Sequence, residues 1–261
     1  MIRPLFLSGE IIYLRNQLLV VMKRLGLTLL IILSAAFNIE ACHFPEKEVV
    51  EVDGIYYAFD ANGWWVAGFK QEQDSVVLKH SVVINGKREI IEDIYIGYPM
   101  NGRTTTSPKV LVIPDGFKNI SSLELPRLEK LYIPKTITLT HDLCTSVYAN
   151  INCENLKSIE VDKQNKHFKS VDGVLFSKDG KDLYLYPSKK QGEAFEIPKR
   201  VEHILLGAFE KCQLERIYFP KSKKEMVYYY QFGYDEQYTD AKEALESMGF
   251  EDTEKIKFIG R

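Results

Sequence analysis

The stretch that decides the fold is Leu128-Glu129-Lys130-Leu131-Tyr132-Ile133-Pro134, which returns almost unchanged as Leu214-Glu215-Arg216-Ile217-Tyr218-Phe219-Pro220. Alternate residues of a strand point to opposite faces, so Leu131 and Ile133 face a core while Tyr132 faces outwards. The second copy repeats both the inward pair and the outward tyrosine. Proline has no ladder donor, so strand pairing is expected to stop where each phrase ends.

Weaker copies of the same phrase occur at 110–114, 156–162 and 194–198. The prolines at the ends of successive copies lie 20 residues apart (Pro114 and Pro134) and 22 residues apart (Pro198 and Pro220). A period of roughly 20 to 29 residues with one leucine-rich strand indicates a solenoid, whose rungs bury their apolar faces only by stacking. The alternative is an ordinary strand meander whose strands happen to end in prolines.

The segment between the copies carries a family resemblance. It contains Asn165, the run Asp172-Gly173-Val174-Leu175, the pair Asp179-Gly180, then Ala208-Phe209 and Cys212. This pattern resembles the BspA-like leucine-rich repeat family of bacterial surface proteins, closely over 110–220, loosely over 52–97 and not beyond 221. The resemblance implies non-catalytic binding or adhesion to a protein or glycan at a cell surface.

The expected fold class is mostly β: a leucine-rich-repeat solenoid with an N-terminal β-hairpin cap and a C-terminal α/β cap. Turn signals at Asn62-Gly63 and Asn85-Gly86 predict hairpins in the first cap, and Asp179-Gly180 predicts a type I′ hairpin among the repeats. An apolar stripe over 241–248 predicts a helix, and 255–259 predicts a strand. The expected domains are an extension plus signal peptide (1–41), a tether (42–51), the N-terminal β cap or degenerate first repeat (52–109), the repeats (110–220) and the C-terminal cap (221–261).

The N-terminal region has the pattern of an export signal. Met22-Lys23-Arg24 is followed by a 13-residue apolar run, Leu25–Phe37, which suits a signal peptide and is short for a membrane span. We therefore expect translation to start at Met22. Ile39-Glu40-Ala41-Cys42 resembles a lipobox, although Glu40 departs from the usual small or apolar residue, and it implies acylation of Cys42.

Cleavage at this site predicts a lipoprotein of the outer membrane or cell surface of a Gram-negative bacterium, attached to the membrane through its lipid. The alternative is ordinary cleavage near Ala36 or Ala41, which would leave a secreted or periplasmic protein. Cys153 and Cys212 align in their phrases and are expected to be small buried core residues. A disulfide between Cys144 and Cys153 is the alternative.

Composition and motifs indicate which function classes fit. The 261-residue chain is 45% hydrophobic with a net charge of −2, which suits a folded domain without a basic footprint for nucleic acid. No nucleophile, phosphate-binding or dinucleotide motif occurs, and the adjacent pair His141-Asp142 is not expected to be a catalytic dyad, because neighbouring side chains point apart. We therefore predict no enzyme, no metal and no cofactor, and a monomer. The alternatives are an extracytoplasmic glycoside hydrolase with two distant carboxylates and a purely structural envelope lipoprotein.

The working surface is expected on the outward row of the strands, because solenoid strands share one exposed face. Alternation places five residues on that row, with two charged neighbours: Val112, Tyr132, Glu160, Glu196 and Tyr218, next to Lys130 and Arg216. Exposed tyrosines beside acids suit a protein ligand. The alternative is that Tyr132 and Tyr218 only stack across rungs and stabilise the sheet.

Overall fold

The computed structural model describes residues 48–60, 62–97, 105–138, 151–205, 208–209, 211–220, 226–229, 235–238 and 256–259. The predicted signal peptide, Cys42, Cys144, His141-Asp142 and the predicted C-terminal helix lie outside these residues. Within them the secondary structure is strand, joined by turns and bends, so the protein is mostly β. This part of the chain has no helix of the length and apolarity that crossing a membrane requires.

The strands fall into two groups along the chain. The first group is β1 (Glu48–Val52), β2 (Ile55–Asp60), β3 (Gly63–Phe69), β4 (Ser75–Val77), β5 (Ser81–Ile84), β6 (Lys87–Ile90), β7 (Asp93–Ile96), β8 (Val110–Val112), β9 (Asn119–Glu124), β10 (Lys130–Ile133), β11 (Ile151–Asn152) and β12 (Ser158–Val161). The second is β13 (Phe168–Val171), β14 (Val174–Ser177), β15 (Asp182–Leu185), β16 (Ala194–Glu196), β17 (His203–Leu205), β18 (Arg216–Pro220), β19 (Met226–Tyr229), β20 (Asp235–Tyr238) and β21 (Ile256–Ile259).

Two parallel ladders run through the first group. One contains β3, β7, β9 and β11, and the other, called here the first outer sheet, contains β4, β8, β10 and β12. From β7 to β12 the chain alternates between the two ladders at every strand. Each connection therefore returns the chain one strand position further along, which explains how residues about 20 to 28 positions apart come to interact across neighbouring strands.

The second group repeats this arrangement. The strands β15, β17 and β19 pair in parallel in one sheet, and β16, β18 and β21 pair in parallel in another, called here the second outer sheet. The chain again alternates between the two sheets from β15 to β19. The predicted final strand is confirmed by β21, which pairs with β18.

Antiparallel hairpins flank and interrupt the parallel ladders. The predicted turns at Asn62-Gly63 and Asn85-Gly86 join β2 to β3 and β5 to β6. Asp179-Gly180 joins β14 to β15 as predicted, but its expected type I′ turn is wrong, since only Gly180 has positive φ there. The Asp179 carboxylate instead accepts bonds from the Ser177 hydroxyl and the Lys181 N–H.

The type I′ signature occurs one hairpin earlier. Asp172 and Gly173 have φ of 50° and 77°, both positive as that turn requires, and they join β13 to β14. The Gly173 carbonyl accepts a hydrogen bond from Ile159 N–H of β12 at 3.0 Å. A Cβ at position 173 would lie 2.9 Å from the Ser158 Cβ, so this hairpin packs closely against the last strand of the first outer sheet.

One hydrophobic core runs through both groups, because the buried faces of all the ladders join the same cluster. It contains the inward pairs predicted for the two phrases, together with further residues of the weaker copies and the segments between them: Leu131, Ile133, Ile217 and Phe219, with Leu156, Ile159, Ile197, Phe209 and Leu214. Val161 is only half-buried and packs against this cluster. Cys153 is buried and Cys212 half-buried, as expected of core residues, while the alternative Cys144–Cys153 disulfide involves a residue outside the described ranges.

Asn165 joins the first group of strands to the β13–β14 hairpin, called here the inserted hairpin. Its side-chain amide donates to the carbonyls of Pro134 and Ile137 at 2.8 and 3.1 Å. Its side-chain oxygen accepts from the N–H groups of His167 and Phe168, each at 2.8 Å. The side chain is completely buried, so all four bonds are made in the dry interior, where a missing partner is costly.

Candidate functional site

The outward row of the first outer sheet is centred on Tyr132. In-register parallel pairing sets Tyr132 beside Val112 on one side and Glu160 on the other, and Val112 beside Val77. Tyr132 is 37% exposed and Val77 is 60% exposed, while Glu160 is also exposed. The row therefore changes from apolar to aromatic to acidic across four strands.

A shallow groove of about 380 Å³ opens at the carboxyl end of this row. Its lining comes from three successive strand ends, Ile113–Asp115, Tyr132–Pro134 and Glu160–Asp162. The groove forms here because Pro134 directly follows β10 and Pro114 follows β8 after one residue, so strand pairing stops and the chain turns away from the sheet. Carboxylates and one tyrosine ring supply its polar groups.

Acidic side chains outnumber basic ones around this groove. Lys135 forms an ion pair with Asp115 at 2.8 Å, and this hydrogen bond raises the pKa of Lys135, with the charges of Asp115 and Asp162 acting in the same direction. Asp162 accepts a bond from the Gln164 N–H at 2.7 Å. In the part of the chain that the structure describes, neither Glu160 nor Asp162 forms an ion pair. The groove is therefore acidic.

The second outer sheet holds the other predicted row residues. Glu196 pairs with Tyr218, and Tyr218 is half-buried while Glu196 is exposed. Arg216 is exposed and lies 3.6 Å from Glu193. On the first outer sheet the other predicted cation, Lys130, lies two positions before Tyr132 and is exposed too.

Strand pairing thus divides the predicted site residues between two sheets. Val112, Tyr132, Glu160 and Lys130 share the first outer sheet, whereas Glu196, Tyr218 and Arg216 share the second. The division arises because the β13–β14 hairpin, and not β16, follows β12 in the chain and bonds to it. The expectation of one shared row is therefore replaced by two rows.

Sequence reasoning missed one pair of titratable side chains. His203 at the start of β17 lies beside Asp182 at the start of β15, with Nδ1 and Oδ1 2.6 Å apart. The Tyr184 hydroxyl donates to the other Asp182 oxygen at 3.3 Å. The two residues are 21 positions apart, so only the repeat spacing, applied to polar residues as well as leucines, could have found them.

Thiol and metal chemistry find little support in this part of the molecule. Burial raises the pKa of the Cys153 thiol to about 12, so almost no nucleophilic thiolate is present near neutral pH. The Cys153 thiol donates to the Leu123 carbonyl at 3.4 Å, as expected of a core residue. Among the described residues no three His, Cys, Asp or Glu side chains are grouped so that they could hold a metal ion.

Comparison with known proteins gave solved structures alone. No family model and no curated protein matches the chain. A leucine-rich repeat protein from Eubacterium ventriosum is 18% identical with a TM-score of 0.34, covering 64% of this chain and 57% of that one. One from Bacteroides ovatus is 20% identical with a TM-score of 0.35, covering 66% and 49%. A leucine rich cell surface protein from Faecalibacterium prausnitzii is 14% identical with a TM-score of 0.27, covering 69% and 72%.

Proposed function

We propose that this chain is a leucine-rich-repeat solenoid that binds a protein or glycan ligand at a bacterial cell surface and has no catalytic activity. In this proposal each turn of the chain is one rung and contributes one strand to each of two parallel ladders. The strands β1–β3 with the β5–β6 hairpin form the N-terminal cap. The C-terminal α/β cap would follow β18. Support comes from the alternation of the chain between two parallel ladders, with interacting residues spaced 20, 21 and 28 positions apart.

The observation that carries the binding function is the exposure of Tyr132 at the edge of an open groove. A large aromatic side chain that packs into no core contributes little to folding but offers contact area with a polar handle. Its strand is bonded on both sides, so little backbone entropy is lost when a ligand binds. Val112 and Glu160 extend the same surface.

Direct binding measurements with the purified chain test this function. Immobilised protein would be exposed to a glycan array and to a panel of purified extracellular matrix proteins. We expect at least one ligand whose affinity falls about tenfold or more in Tyr132→Ala, the loss typical of an interface hot spot. Binding that is unchanged in both Tyr132→Ala and Tyr218→Ala would contradict a role for either outward row.

The proposal includes a lipid anchor at Cys42 on the outer membrane or cell surface of a Gram-negative bacterium. It rests on the apolar run before Ile39-Glu40-Ala41-Cys42, whose last residue would carry the lipid. Intact-mass analysis of the native protein should show an acylated N-terminus at Cys42, and Cys42→Ala should leave the membrane fraction. A free N-terminus at Phe37, Cys42 or His43 would contradict the anchor.

A further inference from the structure

Acid–base pairs at one end of the first outer sheet contrast with unpaired acids at the other. At the amino end Asp74 bonds Lys109, and Glu129 bonds Lys157, both at 2.8 Å. The hydrogen bond from each lysine lowers the pKa of its carboxylate partner, so these acids are already matched within the protein. A ligand gains little by approaching them.

The carboxyl end of the same sheet lacks this internal matching. No lysine or arginine belongs to the groove lining, and the nearby Lys135 is engaged by Asp115. Glu160 and Asp162 both line the groove and are exposed, and within the described ranges neither forms an ion pair, although the Asp162 charge acts on Lys135. Three carboxylates, those of Asp115, Glu160 and Asp162, therefore face the single nearby lysine, and a cationic ligand would supply the missing countercharge.

Tyr132 adds a recognition element that favours the same kind of ligand. Its ring borders the groove beside Glu160, and the face of a tyrosine ring attracts a lysine ammonium or, more often, an arginine guanidinium. Arginine also matches carboxylates through its planar set of donors. A ring and carboxylates around one opening are complementary to one cationic side chain.

The row beyond Tyr132 indicates that the cation belongs to a peptide. Val112 and the 60% exposed Val77 continue the surface away from the groove as an apolar strip. A segment with an apolar residue next to a basic one could cover both parts at once. An anionic glycan would be repelled by the groove, and a neutral one would leave its charges unmatched.

We propose that the outward face of the first outer sheet binds a basic, extended segment of a protein partner, with an arginine or lysine side chain seated between Tyr132, Glu160 and Asp162. This inference rests on the proposed binding function and narrows its ligand from protein or glycan to basic peptide. The strip of Val77 and Val112 receives the neighbouring apolar residue.

The test uses the purified chain and two fluorescein-labelled nonapeptides, one with a central arginine between valines and its twin with citrulline in place of arginine. Citrulline keeps the shape and most hydrogen-bonding groups but removes the charge. We expect fluorescence anisotropy at low salt to show about tenfold tighter binding of the arginine peptide, and this advantage to shrink as salt screens the charges.

Variants of the groove locate the binding. Glu160→Gln and Asp162→Asn should each weaken arginine-peptide binding about three- to fivefold, as expected for exposed ion pairs, and Tyr132→Leu by a similar factor through loss of the cation–π contact. Glu215→Gln is the matched control, an exposed glutamate outside the groove, and should leave the affinity unchanged. Circular dichroism would verify that each variant folds.

Two results would overturn the inference while leaving the binding function standing. One is equal affinity for the arginine and citrulline peptides, or arginine binding that survives the double variant Glu160→Gln/Asp162→Asn. The other is a glycan from the array that binds in a Tyr132-dependent way while neither peptide binds. Failure of glycans, matrix proteins and peptides together would overturn the proposed function as well.

Discussion

The two nearly identical phrases, 128–134 and 214–220, form strands that differ in their neighbours rather than in themselves. In both β10 and β18 the inward pair is buried, since Leu131, Ile133, Ile217 and Phe219 are each at most 2% exposed. The outward tyrosines differ. Tyr132 is 37% exposed and lies between Val112 and Glu160, whereas Tyr218 is half-buried and is paired with Glu196 on one side and Lys257 on the other.

A strand's own sequence determines which side chains face outwards, whereas the adjacent strands determine what surrounds them and how far they are exposed. Alternation directs each tyrosine outwards in both places. Both tyrosines lie between two parallel strands, but the pairing partners are Val112 and Glu160 for Tyr132, and Glu196 and Lys257 for Tyr218. The acidic groove is lined by Tyr132 and the ends of its neighbouring strands. Two copies of one phrase can therefore present different surfaces.

The largest expected effect tests whether the two strands are equivalent in the core. Leu131→Ala and Ile217→Ala should each lower the free energy of unfolding by about 3 to 4 kcal/mol, because both side chains are fully buried in central strands and leave cavities. Urea denaturation measures the loss, with the exposed Lys130→Ala as control. A loss below about 1 kcal/mol at either site would show that its ladder is not part of the common core.

The second largest expected loss of stability concerns Asn165, which joins the first group of strands to the inserted hairpin. Asn165→Ala removes four buried hydrogen bonds and should lower the free energy of unfolding by about 2 to 3 kcal/mol. Asn165→Asp should also destabilise, since a carboxylate cannot donate to the carbonyls of Pro134 and Ile137. Asn155→Ala is the matched control, because its single bond to the Pro126 carbonyl is exposed.

If Asn165→Ala proves no more damaging than Asn155→Ala in the same denaturation experiment, the inserted hairpin is not tied to the first strands through this side chain. A third variant, Asn165→Gln, carries the same amide groups on a longer side chain. Any free energy of unfolding that it loses would therefore report the geometry of the four bonds rather than their number.

A smaller effect should distinguish the two tyrosines. Tyr132→Ala should cost less than about 1 kcal/mol of folding free energy, and Tyr218→Ala about 1 to 2 kcal/mol, since more of the second side chain is buried. Thermal unfolding followed by circular dichroism measures both. Equal and large losses would assign both outward rows to sheet stability and would leave the binding surface to be sought on the Asp179-Gly180 hairpin.

The smallest effect compares two strand-initial aspartates. Burial raises the pKa of Asp93 above its ordinary value of 3.8, because desolvation outweighs its bonds from Ser121 and Ile94 N–H, whereas Asp182 is bonded to His203. A raised folded-state pKa means that the folded protein is penalised for ionising Asp93 above that pKa. The penalty disappears as pH falls through the folded value towards 3.8.

Asp93→Asn should therefore match or exceed the wild-type stability at pH 7, and this advantage should fade as the solution is acidified. Asp182→Asn should instead lose up to about 1 kcal/mol at pH 7, since it weakens the contact with His203. Denaturant titrations at a series of pH values measure both variants. A stability gain in Asp93→Asn that grows on acidification would contradict the desolvation of Asp93.

The sequence by itself determined the features that depend on neighbouring positions in the chain. Alternation predicted which faces of β10 and β18 are buried, and the Asn85-Gly86 pair predicted a hairpin. These predictions succeeded because a strand's in–out pattern and a tight turn need only local stereochemistry. The same logic identified Tyr132 and Glu160 as outward residues.

Only the tertiary structure decided which residues lie side by side. Parallel pairing brings Tyr132 to Glu160 and His203 to Asp182, and it divides the predicted row between two sheets because a hairpin intervenes after β12. The acidic groove exists only where three strand ends meet. Such contacts join residues about 20 to 28 positions apart, and their register is set by the packing of the whole core, which no short stretch of sequence contains.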